Sequence, residues 1–269
     1  VVYLKEKKLV ALKTETVYGI ACDPSSVSAL KNLYELKERP YYNPLIIHID
    51  SIELAKKIVH INKDARIIME KFWPGPLTLI LPKKKNNLIH DFAISGLPSV
   101  AIRLPNSSTM KKVLKKFKKP LAAPSANESG YISATDADHV IDSFGKKIDL
   151  VINSGRTDYG LESTILDMTI KPYELKRHGV ISPNFVTQKT GIKIINSKLK
   201  KKLYKPNSPG QLLKHYAPKT PLFTNIKNPS DDDAFLDFGN NDHNHKTSLN
   251  LSTTSNLEEA AYNLFDFLR

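Results

Sequence analysis

Short apolar, often β-branched runs alternate along this chain with stretches whose apolar residues recur every three to four positions. This alternation constrains the fold more than any other feature. A strand repeats every two residues, and a helix repeats every 3.6 and needs a surface for its apolar stripe. Strands are expected at 9–12, 44–49, 76–81, 100–104, 150–153, 164–168, 173–176 and 234–238. Helices are expected at 27–36 behind Ser25 and Ser26, at 52–59, 64–72 and 109–117, and at 135–144 capped by Thr135 with Asp138 three residues on. Ser182-Pro183 opens a further helix with a cap and a first-turn proline, and 257–268 reads as the last.

The alternation predicts an α/β protein. The spacers are too irregular for a simple βαβ wind, so a twisted mixed sheet is expected. The 269 residues suffice for one large core or a main domain with a smaller one. Composition breaks near 193, where lysines give way to prolines 206, 209, 218 and 221, which exclude a continuous helix. The expected organisation is therefore a catalytic domain at 1–192, a linker at 193–220, and at 221–269 a small α/β segment that reads as the start of a further domain.

Charge sharpens this division. Residues 1–221 carry 37 basic against 19 acidic side chains, net +18, whereas 222–269 carry 3 against 8, net −5. An anionic partner for the first part is expected, a nucleotide or RNA. The lysine runs 83–85, 111–119 and 198–202 equally suit plain solubility, since only Phe117 interrupts them as a base-stacking ring would. Cys22 is the only cysteine, which leaves no disulfide or zinc grid, fits a reducing cytosol, and reads as a buried structural thiol. No apolar run approaches the roughly 20 residues that span a bilayer. The opening V-V-Y-L-K-E-K-K lacks the apolar core of a signal peptide. His243 and His245 read as surface residues.

Four polar clusters fall at strand ends and turns, where α/β proteins place ligands. They are 14–19 (T-E-T-V-Y-G), 37–44 (K-E-R-P-Y-Y-N-P), 99–105 (S-V-A-I-R-L-P) and 124–130 (P-S-A-N-E-S-G) with Ser133 beyond. Singly, each has an ordinary explanation. Lys37-x-Arg39 at a helix end complements the dipole, and Ser125-x-Asn127 after proline is a common turn. Arg103 inside an apolar strand is odder, because a buried guanidinium needs a partner. There is no glycine-rich phosphate loop ending in Gly-Lys-Ser/Thr and no Ser-His-Asp signature.

In order and in combination, the motifs say more. K-T-E-T-V-Y-G-I-A-C-D, L-K-E-R-P-Y-Y-N-P-L-I-I-H, F-W-P-G-P-L-T-L-I-L, S-V-A-I-R-L-P, P-L-A-A-P-S-A-N, E-S-T-I-L-D and L-K-R-H-G together strongly resemble the YrdC/Sua5 family over about residues 1–190. S-P-G-Q-L-L-K-H-Y-A-P-K-T-P resembles the linker of its longer Sua5 subgroup. Lys13 departs from the family's usual proline before T-E-T.

The resemblance implies a YrdC-like domain with a basic cleft, a linker that closes over it, and a Sua5 C-terminal domain that stops early. It implies threonylcarbamoyl-AMP synthase activity, with ATP, L-threonine and bicarbonate as substrates and Mg2+ accompanying ATP. The product would pass to a threonylcarbamoyl transferase complex for tRNA modification in the cytoplasm, and tRNA or double-stranded RNA could be contacted directly. By motif position, Lys37, Arg39, Ser125 and Asn127 are the catalytic candidates. Arg39, Asn43, Ser99, Ser125, Ser133, Arg177 and Tyr216 fall to ATP. Thr16, His48, Arg103, Ala123 and Ser163 fall to threonine, and no protein ligand for a metal is assigned. An RNA-binding module of the same fold would use the cleft for phosphate contacts alone and would not need Thr16, His48, Arg103 and Ser163 together. A carbamoyl-transfer enzyme of the hydrogenase-maturation type would carry Cys-rich zinc fingers, which are absent.

Overall fold

The computed structural model describes residues 1–85, 88–196, 208–210, 215–226, 230, 232–240 and 246–269. Strands are β1 (Val10–Lys13), β2 (Tyr18–Ala21), β3 (Ile46–His48), β4 (Leu77–Pro82), β5 (Ser99–Arg103), β6 (Leu121–Ala122), β7 (Leu150–Val151), β8 (Thr164–Asp167), β9 (Tyr173–Arg177), β10 (Ile194–Asn196), β11 (Phe235–Asp237) and β12 (Ser248–Asn250). Helices are α1 (Val2–Lys5), α2 (Val27–Leu36), α3 (Ile52–Ile58), α4 (Lys63–Phe72), α5 (Ser108–Phe117), α6 (Ala137–Phe144), α7 (Pro183–Thr190) and α8 (Leu257–Phe267).

Seven strands form one mixed sheet in the order β10-β9-β8-β4-β5-β3-β6, and β2-β1-β7 form a second sheet beside it. The sheet is mixed because β4 runs parallel to β8 and antiparallel to β5, while β5 runs parallel to β3. The alternation within each strand sets the two faces of the large sheet. Leu77, Leu79 and Leu81 of β4, Ile47 of β3, and Val100 and Ile102 of β5 enter the main core. Fully burying such a leucine is worth about 1.5–3 kcal/mol. The intervening residues face the other way. Ile46, Ile80, Ala101 and Ile165 form a separate apolar patch there, and Thr78, His48 and Arg103 occupy the same alternate positions of their strands. Since β3 and β5 are parallel with His48 opposite Arg103, both side chains emerge together at one end of the sheet.

Several elements differ from the sequence reading. Helix α6 starts at Ala137, capped by Asp136 whose side chain accepts from the Asp138 amide; Thr135 is fully buried and its amide donates to His139 Nδ1 instead. β2 was hidden in a polar motif, because T-E-T-V forms a buried turn that sends the chain back antiparallel along β1. The Thr14 hydroxyl organises that turn, donating to the Val17 carbonyl at 2.6 Å and accepting from the Thr16 and Val17 amides. Lys13, the departure from the family pattern, ends β1 and pairs with Asp158 at 3.1 Å. β6 and β12 are two or three residues long, too short for a periodic signal. β10 lies inside the segment expected to be linker: Ile194–Asn196 pairs in parallel with β9 and extends the sheet. His243, His245 and the 198–202 lysine run lie outside the described residues.

Cys22 is fully buried, and burial pushes its thiol well above the ordinary range, so it is inert packing. Among the described residues, no helix is long and apolar enough to cross a membrane.

Gly179 closes the sheet against the loop before β8. A Cβ there would lie 2.3 Å from the Glu162 carbonyl oxygen and 2.4 Å from the Thr164 nitrogen, both backbone atoms that cannot swing aside. Gly179→Ala is therefore expected to cost about 1–3 kcal/mol, as other overpacked sites do, measured by denaturant unfolding; stability equal to wild type would show that the two segments separate freely.

Candidate active site

A cleft opens on the face of the sheet away from the main core. The strand ends, the T-E-T-V turn and the segment after β6 form its walls. Of the candidates read from the sequence, Thr16, Arg39, His48, Arg103, Ala123, Ser125, Ser163 and Arg177 line it. Lys37, Asn43, Asn127, Ser133 and Tyr216 stand behind or beside this lining. Ser99 is at the opposite end of β5 from Arg103, about 13 Å along the strand at 3.3 Å per residue, on the same face across the apolar patch.

Each cation is held by the protein. Arg103 is 3% exposed; its Nε donates to the Gly75 carbonyl at 3.1 Å and its Nη1 to the Thr16 hydroxyl at 2.9 Å. Its Nη2 lies 2.6 Å from Glu15 Oε1, a close ion pair that is off-axis for a well-directed hydrogen bond. The sequence showed that Arg103 needs an anionic partner; the resident partner is Glu15, next to Thr16 in the same motif. Arg177 donates from Nε to the Ser163 carbonyl and from Nη2 to the Ser163 hydroxyl, both at 3.0 Å, and its Nη1 pairs with Glu162.

Glu162 is the second residue that the sequence reading passed over. Burial pushes its carboxyl up, but Arg177, His215 and the hydrogen bonds from Tyr216 and Ser133 outweigh burial and hold it at about 2. The Tyr216 and Ser133 hydroxyls each donate to it at 2.8 Å. The signal was present in both cases. T-E-T and E-S-T each set an acid beside a residue assigned to the site, and buried arginines require counter-charges.

Lys37 is 1% exposed and sits beneath the S-A-N segment. Its Nζ donates to the Ser125 carbonyl at 2.5 Å and also to the Asn127 carbonyl, while the Ser129 amide donates to its own carbonyl at 2.8 Å. Burial, with Arg39 nearby, pulls the ammonium down to about 7, so its charge changes near neutral pH. Arg39 donates to the Asn43 and Pro44 carbonyls, at 3.0 and 2.7 Å, and burial draws its guanidinium down to about 10. Burial and the charge of Arg103 lower His48 to about 3, so its imidazole is neutral. Asn127 donates to the Glu128 and Tyr131 carbonyls, which braces its turn.

Buried polar atoms are normally paired, and several here are not. Among the described residues, Asn43 Oδ1, Asn127 Oδ1, His48 Nδ1 and His215 Nδ1 are buried without a hydrogen-bond partner. They bracket the cleft, as groups awaiting a polar ligand would. The linker covers this region. Pro209 and His215 line the cleft, Ser208 is fully buried, and the Ala217 amide donates to the Gly130 carbonyl at 3.0 Å. Residues 211–214 of the same motif lie outside the described residues.

Two family models match the chain: one described as "Telomere recombination" and named for Sua5, YciO and YrdC, over residues 2–179, and the threonylcarbamoyl-AMP synthase C-terminal domain over 180–269. A threonylcarbamoyl-AMP synthase of Pyrococcus abyssi is 39% identical over 85% of this chain and 67% of its own length. One of Bacillus subtilis is 38% identical over 81% of this chain and 63% of its own. The chain thus spans about two thirds of the length of these relatives. The crystal structure of P. abyssi Sua5 complexed with L-threonine superposes with a TM-score of 0.86 at 32% identity, covering 99% of this chain and 82% of that one. E. coli YciO shares the fold at a TM-score of 0.62 and 17% identity, over 70% of this chain and 89% of its own.

The folded-state value of Glu162 lies below the ordinary 4.5, so its contribution to stability is present above that pH and is lost as pH falls towards 2. Glu162→Gln leaves Arg177 buried without a counter-charge, which costs about 3–5 kcal/mol at neutral pH. Urea unfolding of both proteins should show this gap shrinking between about pH 4.5 and pH 2. A gap that does not depend on pH would mean that Glu162 is not the charge that stabilises Arg177.

Proposed function

The chain belongs to the YrdC/Sua5 family, and from that membership we propose that it makes L-threonylcarbamoyl-AMP and pyrophosphate from L-threonine, bicarbonate or CO2, and ATP. One observation supports this reading above others. His48 and Arg103 stand side by side at the sheet end, and Arg39 and Arg177 line the same cleft, in a fold that superposes closely on a Sua5 complexed with L-threonine. A neutral imidazole beside a guanidinium suits an amino acid, and further cations suit a polyphosphate.

The reaction follows from these groups. Bicarbonate supplies CO2 by taking up a proton and losing water. The threonine ammonium gives one proton to solvent and its lone pair attacks the CO2 carbon: an N–C bond forms, one C–O π bond opens onto oxygen, and a second N–H proton leaves to solvent, giving the carbamate. A carbamate oxygen then attacks the α-phosphorus of ATP, the bond to the β-phosphate oxygen breaks, and pyrophosphate leaves with the electron pair. In the second step both the carbamate and the triphosphate are anionic, so positioning and cationic stabilisation supply the acceleration and no covalent nucleophile is needed. Arg103 holds the threonine carboxylate, with Glu15, Thr16 and Gly75 fixing the plane of its guanidinium. Thr16, His48, Ala123 and Ser163 surround the rest of threonine. Arg39, Arg177 and Ser125 face the nucleotide phosphates. Asn43 and Asn127 offer their unpaired oxygens, and Ser133 and Tyr216 act on the nucleotide side through Glu162. Lys37 acts through the loop it holds, fixing Ser125 and Asn127 by their carbonyls.

Magnesium accompanies ATP. Glu15 and Glu162 are committed to arginines, and no protein ligand is assigned to the ion, which the triphosphate and water would mostly hold. The mixed carbamic–phosphoric anhydride is labile in water, so a transferase must consume it, here for the threonylcarbamoyladenosine of tRNA. A lone buried thiol suits work in a reducing cytosol.

Pyrophosphate release should require ATP, threonine and bicarbonate together; equal release without threonine would exclude the reading. Arg103→Lys keeps the charge and loses the two-pronged geometry. It is expected to raise the KM for threonine at least about tenfold while changing that for ATP little, the loss of one charge-assisted hydrogen bond being worth about 1.5–3 kcal/mol.

A further inference from the structure

The C-terminal helix α8 is not packed against its own segment alone. Its Phe265 is 5% exposed and clusters with Val17 of the T-E-T-V turn, with Ile132, and with the linker's Tyr216. The Phe265 and Tyr216 rings lie 5.1 Å apart at 34°. Tyr216 therefore has its hydroxyl on Glu162 and its ring on α8.

The helix is anchored at two further points. Arg156 donates from Nη2 to the Tyr262 carbonyl at 2.8 Å and to Asn263 Oδ1 at 3.1 Å, its Nη1 lies 3.2 Å from Asp266, and its guanidinium stacks 3.8 Å over the Tyr262 ring. Gly160, at φ +71°, lies so close that a Cβ would come within 2.5 Å of the Tyr262 carbonyl. Both residues belong to the loop that leads directly into Glu162. At the other end, Arg269 donates to the Ile132 carbonyl at 3.1 Å and to the Ser143 hydroxyl at 2.8 Å.

We propose that α8 is the seat of the lid: Phe265 is a positioning residue that fixes Tyr216 over the cleft, and Arg156 keeps α8 in register with the Glu162 loop. A tyrosine held by one hydrogen bond can rotate about it. A ring packed on its other side removes that freedom, and the ordering is already present before substrate arrives. The C-terminal segment thus contributes to the site without supplying a group that touches substrate. Only the catalytic half of this inference rests on the threonylcarbamoyl-AMP reading.

The Ala217 amide, bonded to the Gly130 carbonyl, reports the lid locally. Hydrogen exchange of a peptide containing 217 is measured in the whole chain without substrates, for wild type, Phe265→Ala, Phe265→Leu and Arg156→Ala. Exchange should speed up about tenfold or more in Phe265→Ala and less in Phe265→Leu, while β4 and β5 keep their protection. Arg156 is partly exposed and outside the core, so Arg156→Ala decides the matter should Phe265→Ala fail to fold. Wild-type exchange at Ala217 in Arg156→Ala and in every folded Phe265 variant would overturn the proposal. With substrates, threonine-dependent pyrophosphate release should fall about tenfold in kcat with the threonine KM unchanged. Faster exchange with unaltered kcat would limit α8 to packing and refute the positioning role. A wild type that releases no pyrophosphate would refute the synthase reading while the exchange result still judged the seat.

Discussion

The Glu162–Arg177 ion pair stands where sheet, cleft and lid meet. Moving a guanidinium out of water costs several kcal/mol, and only a well-bonded counter-charge offsets this. Glu162 offsets it for Arg177 and spends its remaining oxygen capacity on Ser133 and Tyr216. One carboxylate thereby ties the end of β9, the segment after the S-A-N motif, and the linker to a single point. Glu15 does the same for Arg103 at the other end of the cleft. The two pairs hold their arginines in place, yet leave buried oxygens and ring nitrogens nearby without partners among the described residues. Rigid cations beside unsatisfied acceptors are what an anionic ligand with donor groups of its own requires.

Much of this was legible in the sequence. The strands from 44 to 49, 76 to 81 and 100 to 104 showed themselves because their apolar runs serve both the main core and the patch behind it. The position of Arg103 in such a run marked it as a guanidinium in need of a buried partner, and Glu15 is there to meet it. The motifs carried the candidates Thr16, Arg39, His48, Ser125, Ser163 and Arg177 to one cleft across more than 160 residues of chain.

What escaped was relational. Glu15 and Glu162 are unremarkable letters until the arginines they neutralise are placed next to them in space. Lys37 read as a phosphate contact because it is a cation in a phosphate-like motif; that its ammonium donates to two backbone carbonyls of the S-A-N segment was not legible there. Strand β2 was obscured because its entry turn is polar and yet buried. Nothing local in 257–268 says that its helix packs on the T-E-T-V turn. Only the folded chain joins residues 17, 132, 216 and 265 in one cluster.

The central claim is that threonine, a one-carbon unit and adenylate are joined in this cleft. Mass spectrometry of the nucleotide formed from ATP, threonine and 13C-bicarbonate tests it most directly. The account predicts an adenylate that contains both threonine and the labelled carbon, formed together with pyrophosphate. An adenylate of threonine without the label, or AMP as the only nucleotide product from the first moments of reaction, would contradict it.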